Sequence, residues 1–379
     1  MTRTTIIKKA IEAAEHPILL ETPAQLEKAS AAWASRSLLG IDTEFVRERT
    51  YRADLGLVQV SDGETAWLLD PLAVQNLAPL AEMLENPAIL KILHSGSEDL
   101  EVLLNTVGAL PQPLVDSQVA CAMLGQPLQM GYHSAVQWLF DMEIDKEQTR
   151  SNWCKRPLQE KQLHYAAMDV TLLPEMIALL RPQLEEKGRW SWLQEDVARM
   201  HRTAANTLDP REAFRRIGGA GRLDEKELRI LRALAAWREE TAIHRNLARG
   251  FVINDAGLMS LVRAQPQSAA QLKAVEGIHP RALQRYQDVL LSIFEQARAD
   301  TSAIEMPQTL DNAQRRLLKD MRQLVAQRAR ELQVEPALLA SRKELEKLIF
   351  ARAAAEAIPE RFLGWRKQAI TDDLLRIPD

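Results

Sequence analysis

The chain has 379 residues, 46% hydrophobic and 26% charged, which is the composition of a folded globular protein and excludes a disordered or fibrous one. That length suits two or three domains, and no apolar run in the sequence approaches the roughly 18 residues that cross a bilayer. The net charge of −4 is unevenly divided: residues 201–379 carry 30 Lys and Arg against 24 Asp and Glu, while residues 1–200 carry 18 against 28.

Residues 1–16 mix basic residues with Ile6, Ile7 and Ile11, and Glu12 and Glu15 argue against a transit peptide. The segment reads as a short helical or frayed N-terminal extension. Apolar runs rich in Leu, Ile and Val predict strands at 37–46, 55–61, 66–70 and 89–93, with Asp62-Gly63 as a hairpin turn between the second and third. A helix is predicted over 97–107, where Ser97 can cap and Leu100, Leu103, Leu104 and Val107 recur at helical spacing. Another spans about 158–186, kinked or divided by Pro174 and Pro182.

Pro210, Gly218, Gly219 and Gly221 break the pattern and mark 206–223 as a linker. No strand precedes these glycines and the full Gly-x-Gly-x-x-Gly is missing, which argues against nucleotide binding. Beyond 223 the chain reads all-α. Phe251-Val252-Ile253-Asn254 before a helix is echoed by Leu338-Leu339-Ala340-Ser341 before another, about 87 residues on. Asn254 and Ser341 both stand where an N-cap belongs, which suggests two copies of a small helical domain joined near Met306-Pro307. Cys121 and Cys154 belong to no Cys/His cluster and read as reduced thiols of a cytoplasmic protein.

Asp42 and Glu44 sit in an apolar strand and project from one face, since strand side chains alternate. Two acids there are costly unless neutralised, so the pair is either a solvated strand end or a cation site. Asp99 lies where a strand gives way to a helix, the place where open α/β sheets put their sites. Complementing the helix dipole explains Glu98 and Asp99 as well. Tyr165 and Asp169 are four apart on the long helix and share a face, beside the apolar Ala166, Val170 and Leu173. An amphipathic boundary accounts for that pair on its own. Taken together, the acids suit hard cations such as Mg²⁺ or Mn²⁺, and two such ions suit in-line phosphoryl displacement. Tyr165 would then orient the attacking water; a phenol with a pKa near 10 makes a poor base at neutral pH.

Asp42-Thr43-Glu44-Phe45, His94-Ser95-Gly96-Ser97-Glu98-Asp99-Leu100 and Tyr165-Ala166-Ala167-Met168-Asp169 match the three exonuclease motifs of the DEDD superfamily, and the tyrosine places the chain in its DEDDy branch. Arg49-Thr50-Tyr51, Leu55-Gly56-Leu57-Val58-Gln59, Leu69-Asp70-Pro71-Leu72, Leu110-Pro111-Gln112-Pro113 and Trp153-Cys154-Lys155-Arg156-Pro157-Leu158 resemble the ribonuclease D family.

The resemblance implies an α/β ribonuclease H-like exonuclease domain over 17–205, its mixed sheet flanked by helices and opening on an antiparallel meander. Two all-α HRDC domains follow, at 224–300 and 305–379, similar to the nucleic-acid-binding modules of ribonuclease D and RecQ-type helicases. It implies two divalent metal ions, Mg²⁺ or Mn²⁺, held by Asp42, Glu44, Asp99 and Asp169, with Tyr165 catalytic and Phe45 a substrate contact. The expected reaction is 3′-5′ exoribonuclease hydrolysis releasing 5′-mononucleotides, chiefly from the single-stranded 3′ ends of tRNA precursors. The expected protein is a cytoplasmic monomer with no membrane or small-molecule cofactor. A DNA substrate and a non-catalytic RNA-binding adaptor are the alternatives; the presence of all four acids and Tyr165 argues against the adaptor. His94 and His164 read as residues around the site, Asp116 as an outer or capping acid, and Trp237 and Trp365 as helix core in preference to base-stacking platforms.

Overall fold

A computed structural model of the chain describes residues 3–144, 151–206, 209–306 and 308–378. Pro307, in the expected link between the helical copies, lies outside the described residues, as do residues 1 and 2 of the expected extension and 207 and 208 of the expected linker. The chain forms two compact units: Met1–Val46 with Asp54–Ala205 and Leu310–Asp379, and Arg47–Ala53 with Asn206–Thr309.

The first unit is built on a six-stranded mixed sheet, β1 (Ile18–Leu20), β2 (Leu38–Val46), β3 (Asp54–Ser61), β4 (Ala66–Leu69), β5 (Leu90–Leu93) and β6 (Leu114–Asp116), in the order β1-β4-β3-β2-β5-β6. β2, β3 and β4 form an antiparallel meander, while β1, β5 and β6 join in parallel. The meander is therefore preceded by a strand. β1 and β6 are three residues each, too short for period-two alternation to reveal them.

Nine helices among the described residues accompany the sheet: α1 (Arg3–Glu15), α2 (Pro23–Trp33), α3 (Ala78–Glu85), α4 (Ser97–Val107), α5 (Ser117–Met123), α6 (Tyr132–Phe140), α7 (Glu160–Thr171), α8 (Leu173–Glu186) and α9 (Trp190–Ala205). The N-terminal segment is not frayed. α1 packs on α7, and Ala14 is fully buried in one core cluster with Leu57, Leu68, Ala166 and Ala167. Each such buried leucine contributes about 1.5–3 kcal/mol. The predicted long helix divides at Leu172, with Pro174 in the first turn of α8, where its missing N–H costs nothing, and Pro182 inside α8. Glu160–Glu186 is long and apolar enough to cross a bilayer by length and composition, contrary to the sequence reading, but its most apolar stretch is 67% buried within the fold.

In the second unit α10 (Glu225–Arg245), α11 (Arg249–Val252), α12 (Asp255–Ala264), α13 (Ala269–Lys273) and α14 (Pro280–Ala299) enclose a core of their own. The expected linker is structured. Pro210–Arg216 and Ala220–Arg222 are 3₁₀ turns, and Phe214, Ile217, Ala220 and Leu223 fall at near three-residue spacing, so that one face joins the core beside Leu228 and Ala235. Within the same unit Tyr51 donates to Glu239 Oε1 at 2.6 Å, and the Arg249 guanidinium lies 4.7 Å from the Tyr51 ring centroid while pairing with Glu239 at 2.5 Å. Trp237 packs edge-on to Tyr286 at 5.0 Å.

The last helices, α15 (Asn312–Leu332), α16 (Pro336–Leu339), α17 (Arg342–Ala353) and α18 (Asp372–Arg376), belong to the first unit. They repeat the caps of α10 to α12 at a constant offset of 87 residues. Asp224 and Asp311 close capping boxes, Asn246 and Gln333 end their helices in the left-handed region, and Asn254 and Ser341 cap the helix after α11 and α16. Buried Arg366 holds this segment to α9, donating to both Asp196 carboxylate oxygens at 2.6 and 2.7 Å and to the carbonyls of Leu338 and Leu339. Trp365 stacks on Trp192 at 4.4 Å and is buried, while Arg189 donates to the carbonyls of Met123 and Leu332 at 2.6 Å each.

Candidate metal centre

Three elements bring the acids together. Asp42 and Glu44 share a face of β2, and α7 carries Asp169 to it. The close approach depends on Gly40: a Cβ there would stand 2.8 Å from the Val170 carbonyl oxygen and 2.9 Å from Leu173 Cβ. One carboxylate oxygen from each of Asp42, Glu44 and Asp169 lies within 4.8 Å of the others.

Asp99 arrives from α4 but stands apart from that trio. It is buried, and its Oδ1 accepts a hydrogen bond from the Thr43 hydroxyl. Ser97 does not cap α4; Gly96 is the N-cap and makes no side-chain bond. The turn is held from outside by Asp116, which accepts from the backbone N–H of Ser95 (3.3 Å) and Gly96 (2.8 Å) and also caps α5 through Gln118 and Val119. Gly96 has to be glycine, since a Cβ would meet Leu93 at 2.6 Å.

Four acids so close, with no basic residue among the groups that shift them, hold protons tightly. Burial, then repulsion from Asp99, Asp169 and Glu44, pushes Asp42 well above the carboxylate range. Burial and the charges of Asp169 and Asp99 raise Glu44 to about 9. Burial raises Asp169 to about 7 against a hydrogen bond from Tyr165, and raises Asp99 to about 6 against hydrogen bonds from Thr43. Asp169 Oδ1 is buried with no hydrogen-bond partner among the described residues. An orphaned anionic oxygen facing two more carboxylates is a donor set for a hard divalent cation, so the residues fit such ions.

Asp42, Tyr165 and Asp169 open on a cleft of about 390 Å³, also lined by His94, Gln118 and His133. Tyr165 lies between the tilted rings of Trp153 and His133, each with its centroid 6.2 Å away. His94 lines the cleft with both ring nitrogens engaged by groups other than the acids. Burial lowers its pKa, and its ring bridges Ser117 and the Met130 carbonyl at 2.8 Å each, which fixes the loop before α6 that forms one wall. His164 is exposed and reaches the Ala14 carbonyl at 3.2 Å. Phe45 is half-buried beside a bulge, where the β2–β3 register shifts between Glu44 and Phe45, and it is not among the lining residues. That bulge lets Gly56 take the backbone of Trp153, whose carbonyl oxygen would be 2.6 Å from a Cβ there. Arg156 locks the Trp153 loop by pairing with Asp70 at 2.5 and 2.8 Å and donating to the Gly56 carbonyl at 2.6 Å.

Sequence reasoning missed α6, whose Tyr132 donates to the Met168 carbonyl at 2.9 Å and whose His133 faces the cleft. It also missed Gln59. This residue pairs with Asp42 across β2 and β3, is 0% exposed, and has both amide atoms without partners among the described residues. A polar residue inside the apolar run at 55–61 was the available signal.

A carboxylate trio built on an interior strand of a mixed sheet, with a tyrosine one helical turn before the third acid, defines a metal-dependent 3′-5′ exonuclease. The 3′-5′ exonuclease family model matches residues 17–185, and the HRDC domain model matches 227–293. The chain is 39% identical to ribonuclease D of Pseudomonas paraeruginosa over 358 residues, which are 93% of this chain and 95% of that protein. It is 34% identical to ribonuclease D of Escherichia coli over 344 residues, 89% of this chain and 91% of the relative. The crystal structure of Escherichia coli RNase D, an exoribonuclease involved in structured RNA processing, matches with a TM-score of 0.89 at 32% identity, covering 95% of this chain and 98% of that one. A protein from Bifidobacterium adolescentis, 23% identical with a TM-score of 0.67 over 95% of this chain and 96% of its own, shares the fold. The chain belongs to the ribonuclease D family and is a 3′-5′ exoribonuclease. One HRDC domain is shown where the resemblance implied a pair.

Proposed function

We propose that Asp42, Glu44, Asp99 and Asp169 hold two divalent cations, Mg²⁺ or Mn²⁺, and that Tyr165 orients the water that attacks the last phosphodiester of an RNA 3′ end. The observation that carries this reading is the buried, unpartnered Oδ1 of Asp169 beside Asp42 and Glu44. When bound, the cations lower the pKa of the attacking water and offset charge on the departing 3′-oxygen. The protein supplies placement. Gly40 lets α7 lie on β2, the Thr43 hydroxyl fixes Asp99, and Trp153 and His133 hold the Tyr165 ring. Water enters as the nucleophile and 5′-mononucleotides leave one at a time.

The substrates are the single-stranded 3′ ends of structured RNA, chiefly tRNA precursors, and Phe45 contacts the terminal nucleotide. The domains are an exonuclease domain at 17–205 after the N-terminal segment 1–16, the connecting segment 206–223, an HRDC domain at 224–300 and a second HRDC-like domain at 305–379. The repeated caps support the second copy. The protein acts in the cytoplasm as a monomer.

End-labelled RNA incubated with Mg²⁺, with and without EDTA, tests the assignment. Asp169→Asn should abolish hydrolysis and leave RNA binding largely intact. Unchanged turnover in that variant would refute the site.

A further inference from the structure

α15 and α10 share a length of 21 residues, a capping box and a left-handed C-cap. They also share a core face: Leu317, Leu318, Met321, Val325 and Ala329 are buried in α15, as Ile230, Leu231, Leu234, Arg238 and Ala242 are in α10. The helices differ on their other face. In α10, Leu228, Ala235 and Glu239 are buried as well, in contact with the ordered segment 210–223 and with Tyr51. The positions 87 residues later are Arg315, Arg322 and Ala326, and both arginines are exposed.

Arg315, Lys319, Arg322 and Arg330 recur at the spacing of one helix face, with Arg316 beside them, and all five are exposed. At 1.5 Å per residue the stripe runs about 22 Å. Among the described residues none of the five forms a salt bridge: Arg315 reaches only Asn312, and Glu331, near Arg330, is held by Arg328 and Gln327. The arginines of α10 are engaged, with Arg229 on Glu225, Arg232 on Asp300 at 2.8 Å, Arg238 on Asp255 at 2.6 Å and Arg245 on the Tyr286 hydroxyl at 2.9 Å. A helix face that merely has to be soluble is served by mixed charges and i,i+4 pairs. The stripe itself carries one sign and no salt bridge among the described residues, with exposed Asp320 at its flank, and such a stripe suits a polyanion.

We infer that the exposed face of α15 is the protein's track for the RNA phosphate backbone, a role that the matching face of α10, covered by the segment 210–223, does not offer. α15 belongs to the same compact unit as the carboxylates, Arg189 donates to its Leu332 carbonyl, and Arg366 ties the helices that follow it to α9, so RNA held there is held relative to the cleft.

The inference rests on the RNA-hydrolysing reading above, and the two fail separately: loss of trinucleotide hydrolysis by the unaltered protein would sink that reading whatever α15 does. The test uses the full chain with Arg315→Gln, Arg316→Gln, Lys319→Gln and Arg322→Gln combined. Anisotropy of a long labelled single-stranded RNA is followed in EDTA across a salt series. The slope of log K on log salt should become shallower by about 0.7 for each phosphate that the variant no longer neutralises, up to about 3. In Mg²⁺ the ratio of KM for that RNA to KM for a trinucleotide should rise on the order of tenfold. A companion variant, Arg315→Lys with Arg316→Lys and Arg322→Lys, keeps the charge and should restore both readouts. An unchanged salt slope in the glutamine variant overturns the inference, as does an equal loss in the lysine variant. Loss of binding only to vesicles of anionic phospholipid, with the RNA slope intact, overturns RNA as the partner.

Discussion

The acid cluster makes the stability of the metal-free protein depend on pH in a direction opposite to that of a salt-bridged carboxylate. Unfolded aspartate and glutamate titrate near 4, whereas in the fold Asp99 is raised to about 6, Asp169 to about 7 and Glu44 to about 9, chiefly by burial. Between those limits the folded state binds more protons than the unfolded one. The contribution of these groups is therefore fully present below about pH 4 and is lost as pH rises through the folded values. One extra proton held across the window gives about 1.4 kcal/mol per pH unit, which lowers Tm by a few degrees per unit for a chain of this size. A cation bound by the ionised carboxylates takes over the role of those protons. Thermal melts between pH 5.5 and 8.5, in EDTA and in saturating Mn²⁺, should diverge. The metal-free Tm should fall with pH relative to the metal-bound Tm, so that stabilisation by Mn²⁺ grows toward alkaline pH. A Mn²⁺ shift of equal size at pH 6 and pH 8 would refute the account of the cluster.

Tyr165→Phe keeps the ring between Trp153 and His133 and removes the hydroxyl, so kcat should drop on the order of 10²-fold with KM little moved, read in steady-state assays on a short RNA. Gly40→Ala sets a Cβ against the Val170 carbonyl and Leu173; it should cost about 1–3 kcal/mol in denaturant unfolding and weaken Mn²⁺ binding in calorimetry, because α7 is pushed off β2. Arg366→Met removes the two shortest charged hydrogen bonds on buried Asp196, leaving Arg361 at 3.5 Å and Arg199 at 3.7 Å, and should cost about 1.5–3 kcal/mol. Limited proteolysis should then release the 310–379 segment faster than in the unaltered chain.

The four longer strands and helix α4 are legible in the sequence because their apolar residues follow one period for long enough to count. β1 and β6 are too short to show a period, and α6 is not, although its Tyr132 and His133 complete the cleft. Residues 206–223 look like a linker because glycines hide the spacing of Phe214, Ile217, Ala220 and Leu223, whose burial needs the distant face of α10. The acids are visible as motifs, but the separate station of Asp99 depends on a hydroxyl from the neighbouring strand position, which no spacing rule encodes. The second helical copy is legible from its caps and obscured elsewhere. Its α15 replaces two apolar positions of α10, Leu228 and Ala235, with Arg315 and Arg322, so the hydrophobic pattern of the first copy does not carry over.

Burial raises all four acids, and the hydrogen bonds that three of them accept oppose it. Glu44, raised to about 9, has burial and two neighbouring charges acting on it and no donor to set against them. Asp169, at about 7, has one donor in Tyr165, and Asp99, at about 6, has both the hydroxyl and the backbone of Thr43. Protein donors thus make up part of the lost solvation at Asp99, Asp169 and, through the Thr43 backbone, Asp42, and none of it at Glu44. The carboxylates with few or no protein donors form the trio whose oxygens share a space of ion size, while the best-solvated acid stands beside it on Thr43. Buried carboxylates this close, with Asp169 Oδ1 left without a donor among the described residues, are why the site reads as a cation site and not as a solvated strand end.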